Sequence, residues 1–230
     1  MDEAIKRSEN IGKRLKTAAH DYDHFNRVRN WVVLIAKDEG LNERGKFLLE
    51  ISALWHDMAL DKVTDRSKHG EVAGEMFLHE FKGYDVFTEN EKETIFFMLK
   101  YHDKARLVRN SKTDKKLLQM LNILTDADTL ELLGERGYER ALETARANNW
   151  PNFDTNNPKG ETYGFSAKQF DERFELTKTG KIKHVKEPTL VGLLNFLISC
   201  ADNLYSSKAK TVGKAGADYL KSKIDYIIGQ

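Results

Sequence analysis

Between Asp23 and Lys37 the apolar side chains Phe25, Val28, Trp31, Val32, Ile35 and Ala36 recur every three or four positions. That spacing lines one face of a helix and predicts an amphipathic α-helix, closed by the turn Asp38-Glu39-Gly40. A second helix is predicted from about Glu43 through Trp55, His56 and Asp57, with apolar positions dense enough to require burial on most sides. The segment from His69 to Phe81 predicts a third, with Ala73 and Gly74 on a packed face. Glu91 to Lys100 predicts a fourth, with Tyr101 and His102 at its C-terminal end. A fifth is predicted from Lys115 to Leu133, stopped by Gly134 as a left-handed cap, and another from Tyr138 to Ala147. From Thr189 the pattern is helical again, and a last helix is predicted from about Lys214 to Ile228.

One stretch breaks the pattern. Residues 148–165 are rich in Asn, Pro, Gly and aromatics, and they predict a long ordered loop or small insert. Residues 178–188 fit a short strand pair or an exposed basic loop, and the pattern leaves both open. Trp150, Phe153, Tyr163 and Phe165 form the insert's own small core or a surface on which a base can stack. The expected architecture is all-α: a single domain over 1–230, built as a helical bundle, with a mostly irregular insert near 148–190.

Composition narrows the function classes. Hydrophobic residues make up 40% and charged residues 32% of 230 positions, an ordinary globular balance with enough chain for a sizeable core. The 37 basic and 36 acidic side chains nearly cancel, which gives no strong signal for nucleic acid and leaves any basic pocket local. The single Cys200 cannot form an internal disulfide and reads as a small buried hydrophobe. No apolar run reaches the length of a membrane span, and the charged N-terminus lacks the apolar core of a signal peptide, so a cytoplasmic protein is expected. The pattern carries no information on oligomeric state.

Three places carry polar groups where burial is expected. His56-Asp57 ends a strongly apolar helix. His24 lies on the edge of the stripe one helix upstream. Asp126 and Asp128 interrupt the apolar run LTDADTLELL. A buried carboxylate or imidazole needs a partner, either an ion pair, a cap or a cation. Each place alone is met by an ion pair or cap. Together, two imidazoles and two carboxylates make a mixed nitrogen and oxygen set suited to a divalent metal ion: Mn, Fe, Co, Ni or Zn, with Mg also tolerated.

In that order, DYDHFNRV, LWHDMA and LTDADTLELLG resemble the HD-domain superfamily, named for a distant His, a His-Asp pair and a later Asp. More narrowly, the chain resembles bacterial HD phosphohydrolases of a little over 200 residues, over about residues 18–147 and more weakly through the C-terminal ADNLYSSKAKTVGKAGADYL. The resemblance implies a metal held by His24, His56, Asp57 and Asp128. Asp126 would orient a water or a ligand histidine. Arg27 would meet phosphate or pair with an acid, and Lys62 would contact phosphate. His69 and His102 would complete a second metal site or contact substrate phosphate. Glu131 stands where the family often has Asp. The implied activity is metal-dependent hydrolysis of a phosphoester or phosphoanhydride in a small-molecule substrate, a nucleotide first among them. Two other readings share these residues: an HD-fold di-iron oxygenase and a non-catalytic nucleotide-binding sensor. His20, His79 and His184 belong to no motif.

Overall fold

The computed structural model describes residues 1–14, 22–109, 112–160 and 188–230. The possible strand pair at 178–188, except for Pro188, and His20, His184, Tyr163 and Phe165 lie outside them. The described residues are helical, with no strand; one isolated bridge pairs Asp154 with Asn157. They fall into two compact units, Met1–Asp128 and Thr129–Gln230.

The first unit holds α1 (Asp2–Gly12), α2 (Tyr22–Asp38), α3 (Glu43–Trp55), α4 (His69–Glu80), α5 (Glu89–Tyr101), the short α6 (Arg106–Arg109) and most of α7 (Lys115–Leu130). The α2 stripe is buried as its periodicity predicts: Phe25, Val28, Val32, Ile35 and Ala36 are fully covered. Trp31 is half-buried. On α3 the side chains from Phe47 to Trp55 are buried on nearly every side, apart from Glu50, as its apolar density requires. Asn42 caps α3 by accepting from Gly45 N at 2.9 Å, and Thr88 and Glu91 form a capping box at the start of α5.

α1 was not expected from the sequence. It docks through a buried polar link in which Trp55 Nε1 donates to Ser8 Oγ at 2.9 Å, and Ser8 Oγ donates to Ala4 O at 2.9 Å. Arg29 on α2 ties it further, with Glu9 at 2.8 Å and Glu50 of α3 at 2.7 Å. An aromatic cluster fills the space between α3 and α4. Phe77 lies 5.7 Å from Trp55, 5.1 Å from Phe81 and 5.5 Å from Phe87, measured between ring centroids.

The second unit holds α8 (Gly134–Ala147), α9 (Leu190–Cys200) and α10 (Ser207–Ile228). Gly134 is left-handed, at φ +68°, as expected, but α7 ends earlier than predicted, at Leu130, and α8 begins at Gly134 itself. α10 starts at Ser207, seven residues before the predicted Lys214, because Ser206 caps it by accepting from Ala209 N. In the insert, the described part is irregular, as expected. Pro151 O and Asn152 O accept from Leu190 N and Val191 N and so hold the first turn of α9. Trp150 and Phe153 are half-buried, and Cys200 is buried. No described helix is long and apolar enough to cross a membrane.

Candidate metal centre

Two histidines in the first unit sit where an α-helix ends, and a third where a 3₁₀ turn passes into α4. His56 follows the last residue of α3, His102 follows the last residue of α5, and His69 follows the 3₁₀ turn Arg66–Lys68. The last carbonyls of a helix have no partner within it. Each imidazole reaches the carbonyl three residues back, and Arg66 O accepts from the backbone N–H of His69 as well. His56 Nδ1 donates to Ala53 O at 2.8 Å, His69 Nδ1 to Arg66 O at 2.6 Å, and His102 Nδ1 to Leu99 O at 2.7 Å. A carbonyl can only accept, so the proton is on Nδ1 in all three rings. In the neutral form each Nε2 then carries a lone pair aimed away from its own helix.

Those nitrogens converge. His24, in the first turn of α2, brings Nε2 within 3.3 Å of His56 Nε2 and 3.5 Å of Asp128 Oδ1; His56 Nε2 is 3.7 Å from the same oxygen. Asp57 Oδ2 lies 3.4 Å from His56 Nε2 and 4.0 Å from His24 Nε2. The other oxygen of Asp57 faces a second group: Oδ1 is 3.1 Å from His69 Nε2 and 3.3 Å from His102 Nε2, and those two nitrogens are 3.2 Å apart. Two atoms each about 2.1 Å from one ion stand about 3.0 Å apart in octahedral and about 3.4 Å apart in tetrahedral coordination. His24, His56 and Asp128 form one set that can hold a metal ion, and Asp57, His69 and His102 form another. Asp57 stands between the two.

Electrostatics point the same way. Burial works against a charged His56, but the Asp57 and Asp128 carboxylates outweigh it and raise its pKa to about 9. His69 is raised as well: burial opposes the cation, and a hydrogen bond to Asp57, with added charge from Asp57 and Asp103, overcomes it. Burial alone would lift the Asp128 pKa, yet its contact with His56 and the charges of His56 and His24 hold it well below the usual carboxylate range. His24 and His56 are fully buried, whereas the Asp128 side chain is 30% exposed, so the cluster opens toward solvent at Asp128.

His24, His56, Asp57, His69, His102 and Asp128 are therefore brought together. Asp126 is fully buried on α7 but belongs to neither set of converging atoms. Arg27 is half-buried, one turn beyond His24 on α2. Lys62 is not brought to the cluster. It is exposed, with its ammonium 4.0 Å from Met76 Sδ, two turns beyond His69 on α4. Sequence reasoning missed the carbonyls of Ala53, Arg66 and Leu99, and it missed Thr125, whose hydroxyl donates to His102 O at 2.9 Å.

Residues 21–133 match the family described as HD domain, so this part of the chain is an HD domain. Uncharacterized protein L803 of Acanthamoeba polyphaga mimivirus is 27% identical, with 82% of this chain and 81% of that protein covered. Among solved structures, an HD-superfamily hydrolase from Bacillus thuringiensis is similar with a TM-score of 0.66 at 17% identity, covering 99% of this chain and 96% of that one. Bacillus subtilis YpgQ in complex with ADP is similar with a TM-score of 0.58 at 16% identity, covering 98% and 92%. At such identities these two structures speak for the fold.

Proposed function

We propose that this chain is a metal-dependent phosphohydrolase that holds two divalent ions and cleaves a phosphoester or phosphoanhydride bond of a nucleotide. His24, His56, Asp57 and Asp128 would hold one ion, and Asp57, His69 and His102 the other. The observation that carries this reading is the meeting of His69 Nε2, His102 Nε2 and Asp57 Oδ1 within 3.1–3.3 Å of one another. With both Nδ1 atoms protonated, all three are acceptors when the rings are neutral, so a cation belongs among them.

Two divalent ions bring four positive charges against the carboxylates of Asp57 and Asp128, and the surplus suits an anionic phosphate. When bound, such ions supply Lewis acidity to a phosphoryl group and to the attacking water. The chain's own residues do the rest. The carbonyls of Ala53, Arg66 and Leu99 fix three imidazoles in one tautomer and one orientation. Asp57 divides its two oxygens between the two sets. The side chain of Asp128 marks the open side through which a phosphate would enter. Arg27 is the candidate to meet that phosphate, and buried Asp126 the candidate to orient a water or a ligand histidine. The nucleotide reading is supported by the ADP in the YpgQ structure.

The test uses untagged protein, its metal content, and a panel of nucleotides and simple phosphoesters with Mn, Mg, Co or Ni. The expected result is metal-dependent release of phosphate or pyrophosphate, lost in Asp128→Asn. Bound metal without release from any substrate would refute the hydrolase. The same pair of histidines beside Asp57 also suits a di-iron oxygenase; oxygen consumption by the iron-loaded protein, with no phosphate release, would select that reading.

A further inference from the structure

The second set of ligands depends on one close approach between helices. A Cβ placed on Gly70, at the start of α4, would lie 2.2 Å from Leu99 O and 3.3 Å from His102 Nδ1. Leu99 O is the oxygen that accepts from His102 Nδ1 at 2.7 Å. The bare backbone of Gly70 thus presses on the carbonyl that aims the His102 ring. Thr125 Oγ1 on α7 holds His102 O at 2.9 Å, sharing its proton with Leu121 O at 3.0 Å. The turn from Leu99 to His102 is thus held at one carbonyl by a glycine with no side chain and at another by a hydroxyl.

We propose that Gly70 and Thr125 are positioning residues that set the spacing of His69 and His102, and thereby decide whether the centre takes its second ion. The proposal rests on the two-ion reading above. An ordinary contact needs at least 3.4 Å, so a Cβ on Gly70 would push the Leu99 carbonyl back by about 1 Å. Metal ligands tolerate errors of only about 0.2 Å in distance, so a displacement of that size at the group orienting His102 is large for this site. The first set has no member on this turn: His24, His56 and Asp128 lie on α2, at the end of α3 and on α7. Gly74 supplies a matched control. It lies one turn along the same interface, and a Cβ there would meet Phe96 Cδ2 at 2.6 Å, part of a side chain that can rotate away.

The experiment titrates Mn²⁺ into wild type, Gly70→Ala, Gly74→Ala, Thr125→Val and Thr125→Ser, by equilibrium dialysis with metal analysis. Helicity and Tm are recorded for each. Wild type and Gly74→Ala are expected to take two ions. Gly70→Ala and Thr125→Val are expected to keep the first ion and lose about ten- to a hundred-fold in affinity for the second; Thr125→Ser restores it. Wild-type affinity for both ions in Gly70→Ala and Thr125→Val overturns the proposal. So does an equal loss in Gly70→Ala and Gly74→Ala, which would mean helix packing alone, or loss of both ions together. Should Gly70→Ala not fold, the Thr125 pair decides. A wild type that takes one ion overturns the two-ion reading itself, a result visible before any variant is made.

Discussion

Divalent metal should bind this chain with an affinity that climbs with pH. In the metal-free chain the two carboxylates beside His56 hold its pKa near 9, against the effect of burial. An ion needs the Nε2 lone pair, so at neutral pH a proton must leave before the nitrogen can bind. Each proton displaced weakens apparent affinity about tenfold, or about 1.4 kcal/mol, for every pH unit below the pKa of the group that loses it. The first ion should therefore gain about a hundredfold in affinity between pH 7 and pH 9 and level off above that. His69 is shifted in the same direction by Asp57 and Asp103, so filling the second set should release more proton than an ordinary histidine would at the same pH. Calorimetric titration at pH 7 in two buffers of different ionisation enthalpy counts the protons released. Chelator competition across the range, corrected for the chelator's own titration, gives the slope. Binding that releases no proton, with affinity flat across the range, would refute the assignment of His56 Nε2 as a ligand.

Metal-free stability should depend on pH with a definite sign. The folded pKa of His56, about 9, lies above its unfolded value of about 6.5. Its charged form thus stabilises the metal-free fold fully below about pH 6.5, and the contribution, about 3 kcal/mol shared with its carboxylate partners, is lost as pH rises through 9. Urea unfolding in chelator at pH 6 and pH 9.5 should show that loss; equal stabilities would contradict it. Phe77→Ala should cost about 3–5 kcal/mol, because the ring is fully buried among Trp55, Phe81 and Phe87, and chemical denaturation measures this directly. Thr88→Ala removes one half of the capping box of α5 and should cost about 1 kcal/mol with metal content unchanged.

The helices that were legible in the sequence are those whose burial is one-sided or nearly complete. The α2 stripe and the apolar density of α3 each follow from a period that packing then uses. α1 was not legible as a helix because its attachment is polar: Ser8, Glu9 and Arg7 carry it, through Trp55, Arg29 and Glu80. A hydropathy pattern gives little weight to such positions. The end of α7 was placed three residues too far for a related reason. Leu132 and Leu133 continue the apolar run, yet they belong to the turn that leads into left-handed Gly134.

In the candidate site, the residue types were legible, while a second set at His69 and His102 entered only as one of two roles that the resemblance implied, with no sign that Asp57 would face both sets. His24, His56, Asp57, Asp126 and Asp128 stood out because buried carboxylates and imidazoles demand a partner wherever they lie, and the resemblance to the HD-domain superfamily singled out Asp128 over Asp126. Nothing in a linear pattern says that the two oxygens of Asp57 face different neighbours. That depends on His69 and His102, 33 positions apart, meeting at 3.2 Å. What the sequence does contain is a rule of position. His56 and His102 each stand directly after the last residue of a helix, with Nδ1 donating to the carbonyl three residues back, and His69 does the same where a 3₁₀ turn passes into α4. A histidine there gains a hydrogen bond for Nδ1 and a fixed tautomer from the backbone alone. At His56 and His102 the end of a helix thus turns Nε2 toward the neighbouring ligand atoms, and with His69 and the carboxylate of Asp57 these nitrogens would make up most of the proposed centre.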